Sequence, residues 1–206
     1  MSFGAGWLIQ CLTASADAGH IAYLAVLWAL ILLMFCGPAN RRNANDNTSG
    51  VITLLELYAA LSPADKAKCA FVFFDDEENG LLGSARFRKR HKTLMKEKLL
   101  INFDCVSDGD ELLVVAKCAA EKRYGAALRA AFTGGENKQI RHYPAATTLY
   151  PSDQANFPLC VAVAAFRRGP LIGLYISRIH TRRDTVFDQR NIRLLVDCAR
   201  CLTTAL

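Results

Sequence analysis

The longest apolar run of the chain covers residues 19–36 and contains no aspartate, glutamate, lysine or arginine. A helix that crosses a bilayer needs about 20 mostly apolar residues, and this run comes close to that length. Its apolar side chains would cover all sides of a helix, whereas a surface helix of a globular protein keeps one polar face. We therefore predict a single transmembrane helix in an N-terminal segment, residues 1–38, followed by a separate domain, residues 39–206.

The positive charges beside this run predict its orientation. Residues 1–18 contain no lysine or arginine, whereas Arg41 and Arg42 follow the run closely. Because lysine and arginine are enriched on the cytoplasmic side of membrane helices, we expect the following domain in the cytoplasm. The eight cysteines agree with a reducing compartment, since their spacing does not resemble a disulfide framework.

Beyond residue 39, the apolar positions alternate between helical spacing and the short runs that are typical of strands. Helices are predicted over residues 51–61, from the turn at Asn79-Gly80 to about residue 98, and over residues 121–132 and 187–203. Strands are predicted over residues 69–74, 99–104, 112–116, 158–165 and 171–176. The stretch 138–157 is predicted to be mostly loop. This alternation indicates an α/β domain in which helices flank a β-sheet.

Four consecutive acids, residues 75–78, follow the predicted strand 69–74. In open α/β sheets, ligands bind beyond the carboxyl ends of the strands. Like charges this close together raise each other's pKa unless a cation neutralises them. This stretch alone leaves two interpretations open, a solvated acidic turn or part of a cation site.

Charge and cysteine spacing argue against two other functions. The formal net charge is +6, but the basic residues are widely spread and no nucleic-acid-binding motif accompanies them, so we expect no nucleic-acid partner. Their local cluster, residues 86–98, is typical of the exposed face of a helix. Cys198 and Cys201 form a lone CxxC pair, which does not suffice for a zinc ribbon. Cysteines beside apolar runs, such as Cys105, are predicted to be small buried hydrophobic residues.

Further ionisable residues lie at the ends of predicted elements. Asp46 precedes a helix, Asp104 ends a strand and His180 follows a strand. Carboxylates and an imidazole that meet at one sheet edge suit a divalent metal such as zinc. Two such ions can lie about 3.5–4 Å apart when one carboxylate bridges them. Of the pair Glu77 and Glu78, the acid that is not a ligand is then placed to act as general base.

Five segments of the domain together resemble one family of enzymes. They are NANDNTSG (43–50), FFDDEENGLLGS (73–84), NFD (102–104), SDQANF (152–157) and IHTRRDT (179–185). In this order and spacing they resemble the di-zinc aminopeptidases of metallopeptidase clan MH, in the branch of the bacterial leucyl aminopeptidases and aminopeptidase S. The resemblance covers residues 39–206. It implies a mixed β-sheet flanked by helices, a peptide substrate and hydrolysis of N-terminal peptide bonds.

The resemblance also implies a role for individual residues. Asp46 corresponds to the carboxylate that bridges two zinc ions. Glu77 corresponds to the general base, and Glu78 to a ligand of one zinc ion. Asp104 and His180 correspond to ligands of the other zinc ion.

Two more residues have weaker counterparts in the family. Tyr150 is expected to face the substrate, and Asp184 is expected to support the site without binding metal.

The chain departs from the family on its N-terminal side. The family carries an earlier HxD strand whose histidine completes the first zinc site, and no HxD precedes Asp46 here. The upstream His20 lies in the apolar run and is interpreted as interfacial or packed. We therefore expect an N-terminally truncated domain whose first zinc site lacks its imidazole. The domain is expected to hold two zinc ions if its metal centre is complete, and one if it is not.

This departure leaves two alternatives to a di-zinc aminopeptidase. The first is a catalytically inactive, membrane-tethered domain that uses the peptidase fold for binding or as a scaffold. The second is a single-zinc enzyme that resembles glutaminyl cyclases.

Overall fold

The computed structural model describes residues 18–30, 32, 40–135, 138–148 and 150–206. The chain divides into two units, Met1–Asn40 and Arg41–Leu206. Within the first unit, helix α1 covers residues 18–30, and all of its side chains are exposed.

The predicted transmembrane helix, residues 19–36, is only partly within the described residues, because residues 31 and 33–36 lie outside them. Among the helices that the structure does describe, none combines the length and the apolar character that crossing a bilayer requires.

The second unit is a mixed sheet with helices packed against it. Its helices are α2 (Gly50–Ala60), α3 (Pro63–Lys66), α4 (Leu82–Arg90), α5 (Cys118–Ala131) and α6 (Gln189–Ala205). The sheet of the described residues has five strands, β1 (Leu100–Phe103), β2 (Glu111–Ala116), β3 (Gln139–Pro144), β4 (Cys160–Gly169) and β5 (Gly173–Tyr175). The first four strands lie in the order β1-β4-β2-β3, and β5 pairs with β4.

Strand β4 lies between β1 and β2 in this sheet. It runs parallel to β1 and antiparallel to β2, which in turn runs parallel to β3. Every residue of β2 is buried, and so are the first six residues of β4. Because both faces of these strands are covered, their sequences are continuous apolar runs and not an alternating pattern. This mixed sheet confirms the predicted fold class.

Helix α6 shows how the apolar spacing selects the buried face. Ile192, Leu195, Ala199 and Leu202 are buried and join the cluster formed by β2, β4 and the neighbouring helices α2 and α5. Their spacing of three and four residues places them on one side of the helix. Asp188 caps the start of the helix, where its carboxylate accepts a hydrogen bond from the backbone N–H of Arg190 at 3.0 Å.

The predicted strand over residues 69–74 is wrong. This segment forms no regular element and belongs to none of the paired strands of the described residues. Its aromatic side chains pack on helices instead: the ring of Phe71 lies 5.4 Å from that of Tyr58 in α2, and the ring of Phe74 lies 5.4 Å from that of Phe87 in α4. The acids 75–78 therefore follow a segment outside the sheet and not a central strand.

Two further boundaries differ from the prediction. Helix α4 ends at Arg90 and not near residue 98, and a 3-10 turn, Leu94–Lys96, buries Met95 behind it. The stretch 138–157, predicted to be mostly loop, contains strand β3. This strand lies at an edge and is only partly buried, so its sequence lacks the apolar signal of a central strand.

Candidate metal centre

Asp46 lies in a wide turn, Ala44–Ser49, that leads into α2. Two hydrogen bonds fix the position of this turn. The backbone N–H of Asp46 donates to Asp184 Oδ2 at 2.9 Å. The side-chain amide of Asn47 donates to the carbonyl oxygen of Phe103, the last residue of β1, at 3.3 Å. These bonds place Asp46 beside the carboxyl end of β1.

Asp104 follows β1 directly and is largely buried. Its backbone N–H donates to the carbonyl oxygen of Val163 at 3.1 Å, so it continues the pairing of β1 with β4. Its own carbonyl oxygen accepts a hydrogen bond from the Tyr150 hydroxyl at 3.1 Å. The next residue, Cys105, donates its backbone N–H to Asn47 Oδ1 at 3.3 Å. The end of β1 and the turn that carries Asp46 are therefore joined through Asn47.

His180 lies in a turn that follows β5, where its φ of 58° is left-handed. Ser177 anchors this turn, because its hydroxyl donates to Asp108 Oδ2 at 2.8 Å. The Nε2 atom of His180 lies 3.0 Å from Asp46 Oδ2 and 3.0 Å from Glu78 Oε1. The structure thus brings together three of the predicted ligands from three separate segments of the chain.

Glu77 and Glu78 lie in the turn that leads into α4. The backbone N–H groups of Gly80 and Leu81 donate to the carbonyl oxygen of Glu77 at 3.1 and 2.8 Å, which fixes the turn. Burial, followed by the charges of Asp104 and Glu78, raises the pKa of Glu77 to about 7. The metal-free structure therefore favours the protonated form of Glu77 more than an exposed carboxyl group would.

The possible ligand atoms fall into two groups that share Asp46. One group contains Asp46, Glu78 and His180, and the other contains Asp46, Asp104 and Cys105. Within each group the ligand atoms lie within 4.8 Å of one another. Carboxylate, imidazole and thiolate are the ligands that zinc takes in proteins, so these residues fit that metal.

The acids of these groups also carry unfavourable charge in the absence of a cation. Burial, followed by the charge of Asp104, raises the pKa of Asp46 to about 6, and His180 opposes this rise. Burial and the neighbouring carboxylates of Asp104 and Asp46 raise the pKa of the Cys105 thiol well above its usual range. A bound divalent ion would reverse these shifts, because it stabilises the charged form of each ligand.

The sequence matches the model of peptidase family M28 over residues 31–203. The chain belongs to peptidase family M28. This membership confirms the resemblance to the di-zinc aminopeptidases that the five sequence segments indicate. No curated protein sequence matches the chain.

The second unit, Arg41–Leu206, is called the M28 domain below. Its fold also resembles solved aminopeptidase structures. The aminopeptidase from Aneurinibacillus sp. strain AM-1 shares 20% identity at a TM-score of 0.58, over 78% of this chain and 39% of that one. The zinc aminopeptidase BSAP from Bacillus subtilis shares 20% identity at a TM-score of 0.58, over 79% of this chain and 42% of that one. The LapA aminopeptidase of Legionella pneumophila shares 14% identity at a TM-score of 0.57, over 79% of this chain and 46% of that one.

The chain spans less than half the length of each of these three structures. Neither they nor the family match support a scaffold domain or a glutaminyl cyclase. The metal and catalytic roles of Asp46, Glu77, Glu78, Asp104 and His180 in the M28 domain stay predictions.

Tyr150 contacts protein groups beside the candidate metal centre. Its hydroxyl donates to the main chain of Asp104, and its ring packs edge-on against Phe166 with the ring centroids 5.9 Å apart. Because its polar atom is already engaged with the protein, the structure offers a reason for its position that does not involve substrate. Its contact with substrate stays a prediction.

Sequence reasoning missed two residues beside the centre of the M28 domain. The sequence predicts Cys105 as a buried hydrophobic residue, and it is buried, but its sulfur belongs to a ligand group. Asp153 is largely buried, and its Oδ1 atom has no hydrogen-bond partner among the described residues. Its charge helps to raise the pKa of Glu77. The signal for Asp153 was its place in the segment 152–157, whereas Cys105 had no signal beyond adjacency to Asp104.

Proposed function

We propose that the M28 domain forms the metal-binding part of a zinc-dependent aminopeptidase, which hydrolyses the N-terminal peptide bond of peptides. The observation that carries this proposal is the position of the His180 imidazole, 3.0 Å from the carboxylates of both Asp46 and Glu78. The two ligand groups that share Asp46 support a centre with two zinc ions.

Glu77 is the residue that moves the proton in this proposal. Bound zinc supplies a Lewis acid for the scissile carbonyl and lowers the pKa of water. The Glu77 carboxylate accepts the proton of the attacking water and returns it to the nitrogen of the leaving amine. A bound cation favours the charged carboxylate of Glu77, which is the form that accepts the proton. The side chains of Glu78 and His180 are more than half exposed, so the centre is open to a peptide.

The test is turnover of amino-acyl p-nitroanilides by the full chain, with its zinc content measured in the same preparation. We expect hydrolysis with zinc bound and none after chelation. Glu77→Gln should reduce the rate about 10²–10⁴-fold while zinc remains bound, because the side chain keeps its size and loses its proton-accepting oxygen. Glu97→Gln is the matched control, since Glu97 is an exposed acid outside the centre.

Two results would contradict the proposal. One is unchanged turnover in Glu77→Gln. The other is equal turnover of a substrate with an acetylated N-terminus, which would indicate an endopeptidase and not an aminopeptidase.

Membrane attachment is a separate proposal that rests on the apolar run 19–36. The charges of Arg41 and Arg42 support a cytoplasmic M28 domain if the run does cross the bilayer. Extraction of cell membranes with alkaline carbonate tests it. Release of the protein into the supernatant would contradict a spanning helix.

A further inference from the structure

Cys105 is held in a fixed position at the end of β1. Its side chain is buried, and its φ of 53° turns the backbone sharply after Asp104. The backbone is bonded on both sides of this turn: the N–H donates to Asn47 Oδ1 at 3.3 Å, and the carbonyl accepts from the N–H of Ala165 at 2.9 Å. The direction of the sulfur is therefore set by the sheet and by the turn that carries Asp46.

The sulfur faces the candidate metal centre and not only the hydrophobic core. Cys105 Sγ, one carboxylate oxygen of Asp46 and one of Asp104 all lie within 4.8 Å of one another. Zinc binds thiolate sulfur at about 2.3 Å and carboxylate oxygen at about 2.0–2.2 Å, so one ion can reach all three atoms with small side-chain movements. Three protein ligands leave the fourth tetrahedral position free, which is the usual composition of a catalytic zinc site.

Burial, together with the charge of Asp104, raises the pKa of Asp153, which is a further carboxyl group near Glu77. Asp153 is 7% exposed, and its Oδ1 atom has no hydrogen-bond partner among the described residues. The charges that act most strongly on the adjacent Glu77 all come from carboxylates, those of Asp104, Glu78, Asp153 and Asp46. A buried carboxylate oxygen without a partner is costly, and a positive ion would compensate it.

His180 belongs to the other ligand group, that of Asp46 and Glu78. His180 Nε2 lies within 3.0 Å of both Asp46 and Glu78, so it completes the ligand group of Glu78. The sequence expectation paired His180 with Asp104, whereas the structure groups its imidazole with Glu78. Among the described residues, the group of Asp46 and Asp104 contains no imidazole, so this site needs another protein ligand.

We propose that Cys105 is that ligand. Its thiolate, Asp46 and Asp104 hold one ion, and Asp46, Glu78 and His180 hold the other. The thiol releases its proton to solvent when the ion binds. This inference rests on the proposed zinc enzyme, and it makes one site a mixed sulfur and oxygen site.

The test is a titration of the metal-free full chain with Co²⁺, followed by absorption spectroscopy. A thiolate bound to Co²⁺ gives a charge-transfer band in the near-ultraviolet, which oxygen and nitrogen ligands do not give. We expect about two ions per chain and this band. Cys105→Ser should abolish the band and bind about one ion fewer. His180→Gln should also bind about one ion fewer but keep the band, and it requires no change at the buried cysteine.

Cys201→Ser is the matched control, because Cys201 is an exposed thiol of the CxxC pair on α6. It should keep both the band and the stoichiometry. Persistence of the band in Cys105→Ser, or its loss in Cys201→Ser, would overturn the proposal. Binding of Co²⁺ without any thiolate band would overturn it too, yet leave the zinc enzyme intact. Failure to bind Co²⁺ at all would overturn both.

Discussion

Asp184 and Asp46 are joined by a hydrogen bond of 2.9 Å across 138 residues of sequence, in which the backbone N–H of Asp46 donates to Asp184 Oδ2. The other oxygen of the same carboxylate accepts the N–H of Asn45 at 2.8 Å. Because Asp184 lies just beyond the turn that carries His180, these bonds fix two metal-ligand segments relative to each other. This geometry agrees with the supporting role that the family resemblance implies for Asp184.

The first prediction concerns this link. Asp184→Ala leaves two backbone N–H groups without their acceptor, so the free energy of unfolding should fall by about 1–3 kcal/mol. Zinc should bind about 10–100-fold more weakly, because Asp46 is no longer held in place. Urea denaturation and a zinc titration measure the two effects. Asp197→Ala, at an exposed acid of α6, should change stability by less than about 0.5 kcal/mol. Unaltered zinc affinity in Asp184→Ala would contradict the proposed support.

The second prediction concerns the buried carboxylate of Asp108. It accepts hydrogen bonds from Arg167 Nε at 2.8 Å and from the Ser177 hydroxyl at 2.8 Å, and it is 1% exposed. Asp108→Asn removes the charge that Arg167 pairs with and should lower the free energy of unfolding by about 1.5–3 kcal/mol. It should also weaken zinc binding, because Ser177 anchors the turn of His180.

The same urea and zinc titrations measure the Asp108→Asn effects. Asp197→Asn is the control, since it removes one carboxylate charge at an exposed position. A loss of stability with zinc affinity intact would show that Asp108 serves the fold alone.

Part of this geometry was predictable because it follows from periodicity. The central strands β2 and β4 are continuous apolar runs, and α6 carries its apolar residues at helical spacing, so both were recognisable from sequence. Asp104 and His180 were found because ligands gather at the ends of elements. Their spatial meeting, however, depends on hydrogen bonds such as that between Ser177 and Asp108, which no local pattern encodes.

Other parts were not predictable for a physical reason. The aromatic residues Phe71 and Phe74 give residues 69–74 the composition of a buried strand, but they pack against helices. Periodicity measures burial and not strand pairing, so it could not separate these cases. In the same way, a cysteine beside an apolar strand is indistinguishable from a small core residue until the fold brings Asp46 next to it.

The third prediction concerns the coupling of metal to stability. Zinc that binds only the folded chain should raise the free energy of unfolding by about 2.7 kcal/mol when its concentration is 100 times the dissociation constant. Thermal unfolding with zinc and after chelation measures this difference. His180→Ala should lose most of the increase, because it removes an imidazole that lies 3.0 Å from two carboxylates.

His20→Ala tests the interpretation that this upstream histidine is not a ligand. His20 is exposed in α1, and the variant should keep the full zinc-dependent increase. If His20→Ala lost as much of the increase as His180→Ala, His20 would be a ligand and our interpretation of the missing HxD would be wrong.

The fourth prediction follows from the raised pKa values of two acids. In the metal-free protein the pKa of Glu77 is raised from 4.5 to about 7, and that of Asp46 from 3.8 to about 6, chiefly by burial. Between these values the folded chain binds more protons than the unfolded chain, so stability falls as pH rises. The loss begins near pH 4 and is complete above about pH 7. The lowered pKa of Asp188 acts in the opposite direction, but below pH 3.8 and outside this window.

Urea denaturation of the metal-free chain at several pH values measures this slope. Glu77→Gln should flatten it, because glutamine does not titrate, whereas Glu97→Gln should leave it unchanged. Zinc should also flatten the slope, since a cation favours the charged carboxylates and removes the difference in proton binding between the two states. The prediction would be contradicted if the free energy of unfolding of the metal-free chain stayed level or rose from pH 4.5 to 7. The pKa values of Glu77 and Asp46 would then not be raised by burial and like charge.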